Sequence, residues 1–360
     1  MIDPIKLAQR WRSLVVKDDK FAFDNNPSRS LELPPESLIH DYFRQWQPIK
    51  EKRNLAFDEN GARDKNFDVY KDSWFDYPTI IQHKMGGKSW KDYNCLVAIH
   101  VPACTYSCWH CYVGDDAKNP RKMLTNGLIT YATPSELVDA FLDQKKANES
   151  ESGGKIAIPT NVIRVTGGEP FLEPDLILGI LNDLKRRGIS KEIFVWTETN
   201  LSPFIREASG EPLIKSWVNL DELASFNNLA IHPCLHGIDP SSYQSITGCD
   251  PYYFEGILDG LKTLIDYKFD IYPTFGSNVS PPHKIPYIFK RLKEIHKNLP
   301  RRFALIDYEL HYPPTRKRIL GSLEPEQIYN KVLVIGEWSK LLSSEYGEEY
   351  PGRPRHLVPV

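Results

Sequence analysis

The sequence lacks three features that would place the protein in a specialised class. No window approaches the roughly 18 apolar residues of a membrane-spanning helix. The 360 residues include only six cysteines, too few for a disulfide scaffold. Lys and Arg total 45 and Asp and Glu total 47, so the net charge of -2 gives no sign of a nucleic acid partner. Because residues 1–12 do not resemble a secretory signal, we expect a cytoplasmic protein outside the membrane.

Composition divides the chain into three stretches. Residues 1–92 are rich in charge, proline and aromatic side chains, and we predict an irregular N-terminal extension packed on a main domain. Residues 93–345 alternate short β-branched runs with helical patterns, which predicts βαβ units and a parallel sheet. Residues 346–360 form a C-terminal tail that we expect to be extended.

Six strand-and-helix units are predicted in the main domain. A capping box at Thr133 and Glu136 marks the start of the first helix. We therefore predict an α/β fold, a partial TIM-like (βα)6 barrel of parallel strands that stays open on one side. The predicted strands span 95–101, 162–166, 193–197, 229–235, 269–275 and 303–310, and the helices after the first span about 176–187, 214–226, 253–267, 284–297 and 326–343.

Half of the cysteines lie in the loop after the first predicted strand, where Cys104, Cys108 and Cys111 have CxxxCxxC spacing. A structural zinc site usually has four ligands, and His110, between two of the cysteines, is poorly placed to complete the same tetrahedron. Three thiolates can instead hold three irons of a 4Fe-4S cluster and leave the fourth iron for another ligand. From the residues alone, a zinc-stabilised binding module and a cluster-containing electron carrier remain as alternatives.

A second motif, Gly167-Gly168-Glu169, follows the second predicted strand. Two glycines allow the backbone to approach a ligand closely, and Glu169 offers a carboxylate to a cationic group. Taken alone, Gly-Gly-Glu is also compatible with an ordinary tight turn. Its position at the carboxyl end of a strand is where parallel α/β folds bind ligands.

Together, over residues 94–312, these motifs resemble the radical S-adenosylmethionine (radical SAM) superfamily. The resemblance implies one 4Fe-4S cluster held by Cys104, Cys108 and Cys111, with S-adenosyl-L-methionine (SAM) on the open iron. The amine of SAM would lie near the Gly-Gly-Glu motif. The implied activity is that of an oxidoreductase: SAM is cleaved reductively to methionine and a 5'-deoxyadenosyl radical, which abstracts hydrogen from the substrate. A low-potential electron donor of the flavodoxin or ferredoxin type is the implied partner.

Four further residues are assigned to the cofactor by the same resemblance. The residue before the third cysteine, commonly aromatic in the family and packed beside the cofactor, is His110 here. Glu198 and Asn200 end the third strand in a way similar to glycyl-radical-activating enzymes, and would contact the ribose or the methionyl part of SAM. The alternative for Asn200 is that it caps the next turn. His236 follows the fourth strand, where relatives place a polar cofactor contact.

The substrate is not identified by these motifs. An open barrel admits a large molecule, and the end of the third strand favours a protein or peptide substrate of the activating-enzyme kind. Glu309 and His311 share one side of the sixth predicted strand and are either substrate-site residues or polar residues facing a helix. Cys234 lies near the open end, where packing and a role as partner of a substrate radical are both compatible with the sequence.

Overall fold

The computed structural model describes residues 1–24, 77–85, 95–149, 160–308, 313–322, 328–352 and 355–360. The strands are β1 (Val16–Lys17), β2 (Lys20–Asp24), β3 (Cys95–Val101), β4 (Ile129–Ala132), β5 (Thr160–Gly167), β6 (Phe194–Thr199), β7 (Leu229–Leu235), β8 (Thr274–Gly276) and β9 (Ala304–Ile306). The helices are α1 (Pro4–Val15), α2 (Tyr77–Met85), α3 (Pro120–Thr125), α4 (Pro134–Glu149), α5 (Pro174–Arg186), α6 (Leu220–Ala224), α7 (Pro240–Thr247), α8 (Tyr253–Asp266), α9 (Ile285–Ile295), α10 (Leu299–Arg302), α11 (Pro313–Ser322) and α12 (Lys331–Tyr346).

Six strands form one sheet in the order β3-β5-β6-β7-β8-β9, and each neighbouring pair is parallel. The predicted fold class is therefore confirmed as an open, partial TIM-like barrel. Alternate side chains of β5 and β6 pack on opposite faces of the sheet, as a pleated strand requires. Val162, Phe194 and Trp196 form an inner cluster with Ile80 and Ile81 of α2. The larger outer cluster, which includes Ile163, Val165 and Val195, packs against helices.

Several predicted elements have different bounds in the structure. β8 is limited to Thr274–Gly276 instead of 269–275, because Pro273 offers no backbone N–H for a ladder. β9 ends at Ile306, and residues 309–310 of the predicted strand lie outside the described residues. The predicted helix at 214–226 is instead a 3-10 turn at Leu213–Ser216 followed by the short α6.

Helix starts follow their capping residues. Thr133 and Glu136 form the predicted box: Thr133 N donates to Glu136 Oε2 over 2.7 Å, and Glu136 N donates to Thr133 Oγ1 over 3.2 Å. α12 starts at Lys331 and not at 326, because the Asn330 side chain accepts the N–H of Val332 over 3.0 Å.

The described part of the N-terminal extension is more regular than the sequence predicts. It contains α1 and α2, and a β1–β2 hairpin whose second strand pairs with β4. α3 and β4, which lie between β3 and α4, are likewise not predicted from the sequence. The limits of the three proposed stretches stay predictions. Among the described residues, no helix has the length and apolar character needed to cross a bilayer.

Candidate active site

The loop after β3 carries the three motif cysteines, and backbone hydrogen bonds hold it on two sides. Cys104 N donates to Lys118 O over 3.1 Å, which ties the start of the loop to its own return segment. Ser107 N donates to Thr247 O over 3.0 Å, at the last residue of α7. The thiols are thus presented by a loop anchored to the sheet and to a neighbouring helix.

The chemistry of the three thiols fits an iron-sulfur cluster. Burial raises the pKa of Cys104 to about 12 and the pKa of Cys108 well above its ordinary value, and the charges of Cys104 and Cys111 raise the latter further. Burial therefore favours the protonated form of Cys104 and Cys108, and a metal that takes them as thiolates displaces their protons. Asn200 Nδ2 donates to Cys104 Sγ and Val113 N donates to Cys111 Sγ, each over 3.4 Å. Such N–H···S contacts stabilise thiolate ligands and tune cluster potentials.

Gly167 and Gly168 bring the end of β5 against the start of the cysteine loop. Gly168 N donates to Val101 O over 2.8 Å, and Glu169 N donates to Ala103 O over 2.7 Å. A Cβ on Gly168 would lie 1.8 Å from Ala103 O, and Gly167 has a φ of +109°. The sequence interpretation assigned these glycines to the approach of a ligand. The structure shows that the protein's own backbone already requires them.

Glu169 is buried and links the ends of β5 and β6. Its carboxylate accepts from Phe171 N at 3.0 Å, Thr199 Oγ1 at 2.8 Å and Asn200 N at 2.6 Å. Burial raises the pKa of Glu169 to about 7, although these hydrogen bonds act to lower it. A contact with the SAM amine stays a prediction.

We expect Glu169→Ala to affect both SAM and the fold. Loss of a charge-assisted contact, typically about 1.5–3 kcal/mol, weakens SAM binding roughly tenfold to a hundredfold. Two buried backbone N–H groups also lose their acceptor, so the cofactor-free protein becomes less stable by about 1–3 kcal/mol. Calorimetric titration with SAM and urea unfolding measure the two effects. Glu192→Ala, at an exposed position, is the matched control, and unchanged SAM affinity in Glu169→Ala removes Glu169 from the SAM site.

Glu198 and Asn200 project from the end of β6 into different surroundings. Glu198 forms an ion pair with Arg164 and accepts from Thr166 Oγ1 over 2.7 Å. Asn200 reaches Cys104 through Nδ2 and accepts Ser202 N through Oδ1 over 2.9 Å, so it caps the turn and contacts the cysteine loop. Sequence reasoning missed Arg164, although a single cation inside the apolar run of β5 is a usable signal. Contacts of Glu198 and Asn200 with SAM stay predictions.

His110 and His236 meet beside the cysteine loop. His236 Nδ1 lies 3.4 Å from His110 Nε2, and Tyr308 stacks on His110 with ring centroids 3.8 Å apart. Burial lowers the pKa of His236 to about 4 and the pKa of His110 well below its ordinary value, so both rings are neutral. Ligand atoms of Cys108, His110 and His236 all lie within 4.8 Å of one another. This group contains one motif cysteine and neither Cys104 nor Cys111, so the expectation that His110 does not complete a tetrahedron with all three cysteines stays a prediction, as do the contacts of His110 and His236 with SAM.

A helix distant in sequence fixes the third cysteine. Thr315 Oγ1 of α11 donates to His110 O at 3.2 Å or Cys111 O at 3.0 Å. Arg318 Nη1 donates to Cys111 O at 2.5 Å, and Arg318 Nη2 donates to Val113 O at 2.7 Å. Nothing in the local sequence pattern identifies these two residues.

The sequence leaves alternative roles for three further residues, Glu309, His311 and Cys234. Glu309 and His311 lie outside the described residues. Cys234 is half-buried on β7, where Thr274 Oγ1 approaches its sulfur at 3.8 Å and burial raises its pKa. This placement fits packing next to β8 and does not bring Cys234 into the group of motif cysteines.

A family model described as the radical SAM superfamily matches residues 98–283, more than half of the chain. The chain therefore belongs to the radical SAM superfamily. Its matched region contains the three cysteines of the loop and the Gly-Gly-Glu motif. The predicted cofactors, one 4Fe-4S cluster and SAM, are confirmed at the level of the family.

No curated protein matches the sequence. Solved structures similar to the chain include Streptococcus suis SuiB bound to S-adenosylmethionine, at 15% identity and a TM-score of 0.40, covering 64% of this chain and 44% of SuiB. Native anSMEcpe with bound AdoMet is similar at 14% identity and a TM-score of 0.43, covering 70% of this chain and 61% of that protein. The chain thus spans less than two thirds of the length of these two proteins.

Proposed function

We propose that this chain is a radical SAM enzyme that cleaves SAM reductively and removes a hydrogen atom from its substrate. When bound, the 4Fe-4S cluster and SAM supply the electron and the carbon-centred radical. The observation that carries the proposal is that the Gly-Gly-Glu motif is hydrogen-bonded to the segment that leads into the cysteine loop. Backbone hydrogen bonds join Gly168 to Val101 and Glu169 to Ala103, immediately before Cys104.

The chain's own residues then have separate tasks. Cys104, Cys108 and Cys111 act as the protein ligands, and Asn200 and Val113 donate hydrogen bonds to two of their sulfurs. Buried Tyr106 and Trp109 in the same loop help to exclude water. On the outer side, Trp11 Nε1 of α1 donates to Cys104 O over 3.2 Å, so the N-terminal helix also shields the loop.

The finer assignment is also part of the proposal. We infer an oxidoreductase of the activating-enzyme kind that acts on a protein or peptide. The sheet supports this, because within the described residues its edge strands β3 and β9 are not paired with each other and an open sheet is compatible with a large substrate. A flavodoxin or ferredoxin as electron donor and a cytoplasmic, reducing location belong to the same proposal.

The test is reductive cleavage of SAM by the reconstituted protein. Under anaerobic conditions with dithionite, we expect SAM to yield methionine and 5'-deoxyadenosine, measured by chromatography and mass spectrometry. A cluster that is reduced without formation of 5'-deoxyadenosine would identify an electron carrier and refute the proposal. Transfer of deuterium from labelled candidate peptides into 5'-deoxyadenosine then identifies the substrate.

A further inference from the structure

One group of side chains beside the cysteine loop is arranged for a different metal chemistry. Cys108 Sγ and one ring nitrogen from each of His110 and His236 lie within 4.8 Å of one another. His110 is 3% exposed, and among the described residues no hydrogen-bond partner reaches its Nδ1. Nε2 is the nitrogen that faces His236, so a metal shared with His236 binds at Nε2 and leaves the proton of the neutral ring on Nδ1.

The spacing of the two imidazoles is that of ligands on one tetrahedral ion. With zinc–nitrogen bonds of about 2.0–2.1 Å, two nitrogens on the same zinc lie about 3.4 Å apart. The separation of His110 Nε2 from His236 Nδ1 is 3.4 Å. A cubane cluster, by contrast, takes each cysteine to a different iron and needs no imidazole as a ligand.

We propose that the cluster-free protein binds one zinc ion through Cys108, His110 and His236. The fourth position is taken by water or by a second thiol of the loop. Binding releases the Cys108 thiol proton to solvent, because zinc takes the thiolate form. Zinc and the 4Fe-4S cluster exclude each other, since both require Cys108. The loop thus has two metal states, and zinc blocks cluster assembly.

Cobalt(II) is the spectroscopic probe, since tetrahedral cobalt with a thiolate ligand has strong visible and charge-transfer bands. Metal-free, reduced protein is titrated with Co²⁺ and then with Zn²⁺. We expect one Co²⁺ per chain, displaced by Zn²⁺, and at least tenfold weaker binding in His236→Ala and in the smaller change His236→Asn. His296→Ala and Cys234→Ala are the matched controls and keep the affinity of the parent protein.

The decisive comparison is made on one variant. Three cysteines suffice for the cluster, so His236→Ala should still take up iron and sulfide while it loses the cobalt spectrum. In the parent protein, one equivalent of Zn²⁺ should block cluster assembly until a chelator removes it. Absence of a stoichiometric cobalt complex, equal cobalt affinity in His236→Ala and parent protein, or unhindered cluster assembly with zinc bound would each overturn the proposal. None of these readouts depends on SAM cleavage.

Discussion

Cys104→Ala, Cys108→Ala and Cys111→Ala each yield a folded protein that retains no 4Fe-4S cluster after anaerobic reconstitution. The parent protein takes up about four irons, because each of three irons needs one thiolate and the fourth is left for SAM. With two thiolates the cluster loses a ligand, and no other cysteine of the described residues is grouped with the loop thiols, so SAM cleavage falls to background. Iron and sulfide analysis, the visible spectrum and the electron paramagnetic resonance of the reduced protein measure the loss.

Cys234→Ala and Cys249→Ala are the controls for the cysteine series. Cys234 lies beside Thr274 on the strands, and Cys249 is buried, with its N–H bonded to Thr247 Oγ1 over 3.1 Å. Both variants should retain the full iron content and the parent spectrum. Four irons in any variant of the three loop cysteines would show that the ligand set is wrong.

The sequence predicts those features of the site that are defined by residues close together in the chain. Cys104, Cys108 and Cys111 lie within eight residues of one another in the chain, and strand periodicity places their loop at the end of β3. The capping box at Thr133 and Glu136 is equally local, and the structure contains it. In each case, backbone geometry over a few residues determines the result, so one sequence is sufficient.

Contacts between distant segments could not be predicted in this way. Arg318 and Thr315 hold the carbonyl of Cys111 from more than 200 residues away, and the surrounding residues of α11 give no apolar or motif signal for it. The approach of His236 to His110 likewise depends on how β7 lies relative to the loop after β3. The strand order does not by itself produce the contact of α11, because β3 and β9 are the two edge strands of the sheet, and local periodicity does not determine how the loops and helices at its end meet.

The Gly167-Gly168 pair was recognised from the sequence, but the reason for it was incomplete. The sequence suggested close approach of a ligand and did not reveal the close approach of the protein's own backbone. Flexibility and ligand approach are general properties of Gly-Gly, and a single sequence does not reveal which atoms come close. At Gly168 the neighbours of a Cβ would be the backbone carbonyl of Ala103, at 1.8 Å from oxygen and 2.6 Å from carbon. The motif therefore supports the cysteine loop whether or not SAM is bound.

Gly168→Ala should consequently be among the most damaging single substitutions in the chain. The added methyl overlaps backbone atoms, which cannot rotate away as a side chain can, so β5 or the cysteine loop must move. We expect the cofactor-free protein to lose at least about 3 kcal/mol of unfolding free energy. Displacement of the loop should also lower the iron content after reconstitution. Urea unfolding followed by circular dichroism, together with iron analysis, measures both effects.

Gly336→Ala is the matched control, because it adds the same methyl group at a position where the surrounding space is empty. Gly336 lies within α12, and nothing lies within 4 Å of a Cβ at this position. Alanine is favoured over glycine in a helix interior by about 0.5–1 kcal/mol, so this variant should unfold at slightly higher urea and keep its iron. If Gly168→Ala matched the parent protein in stability and iron content, the close contact between Gly168 and Ala103 would not be what holds the cysteine loop against β5.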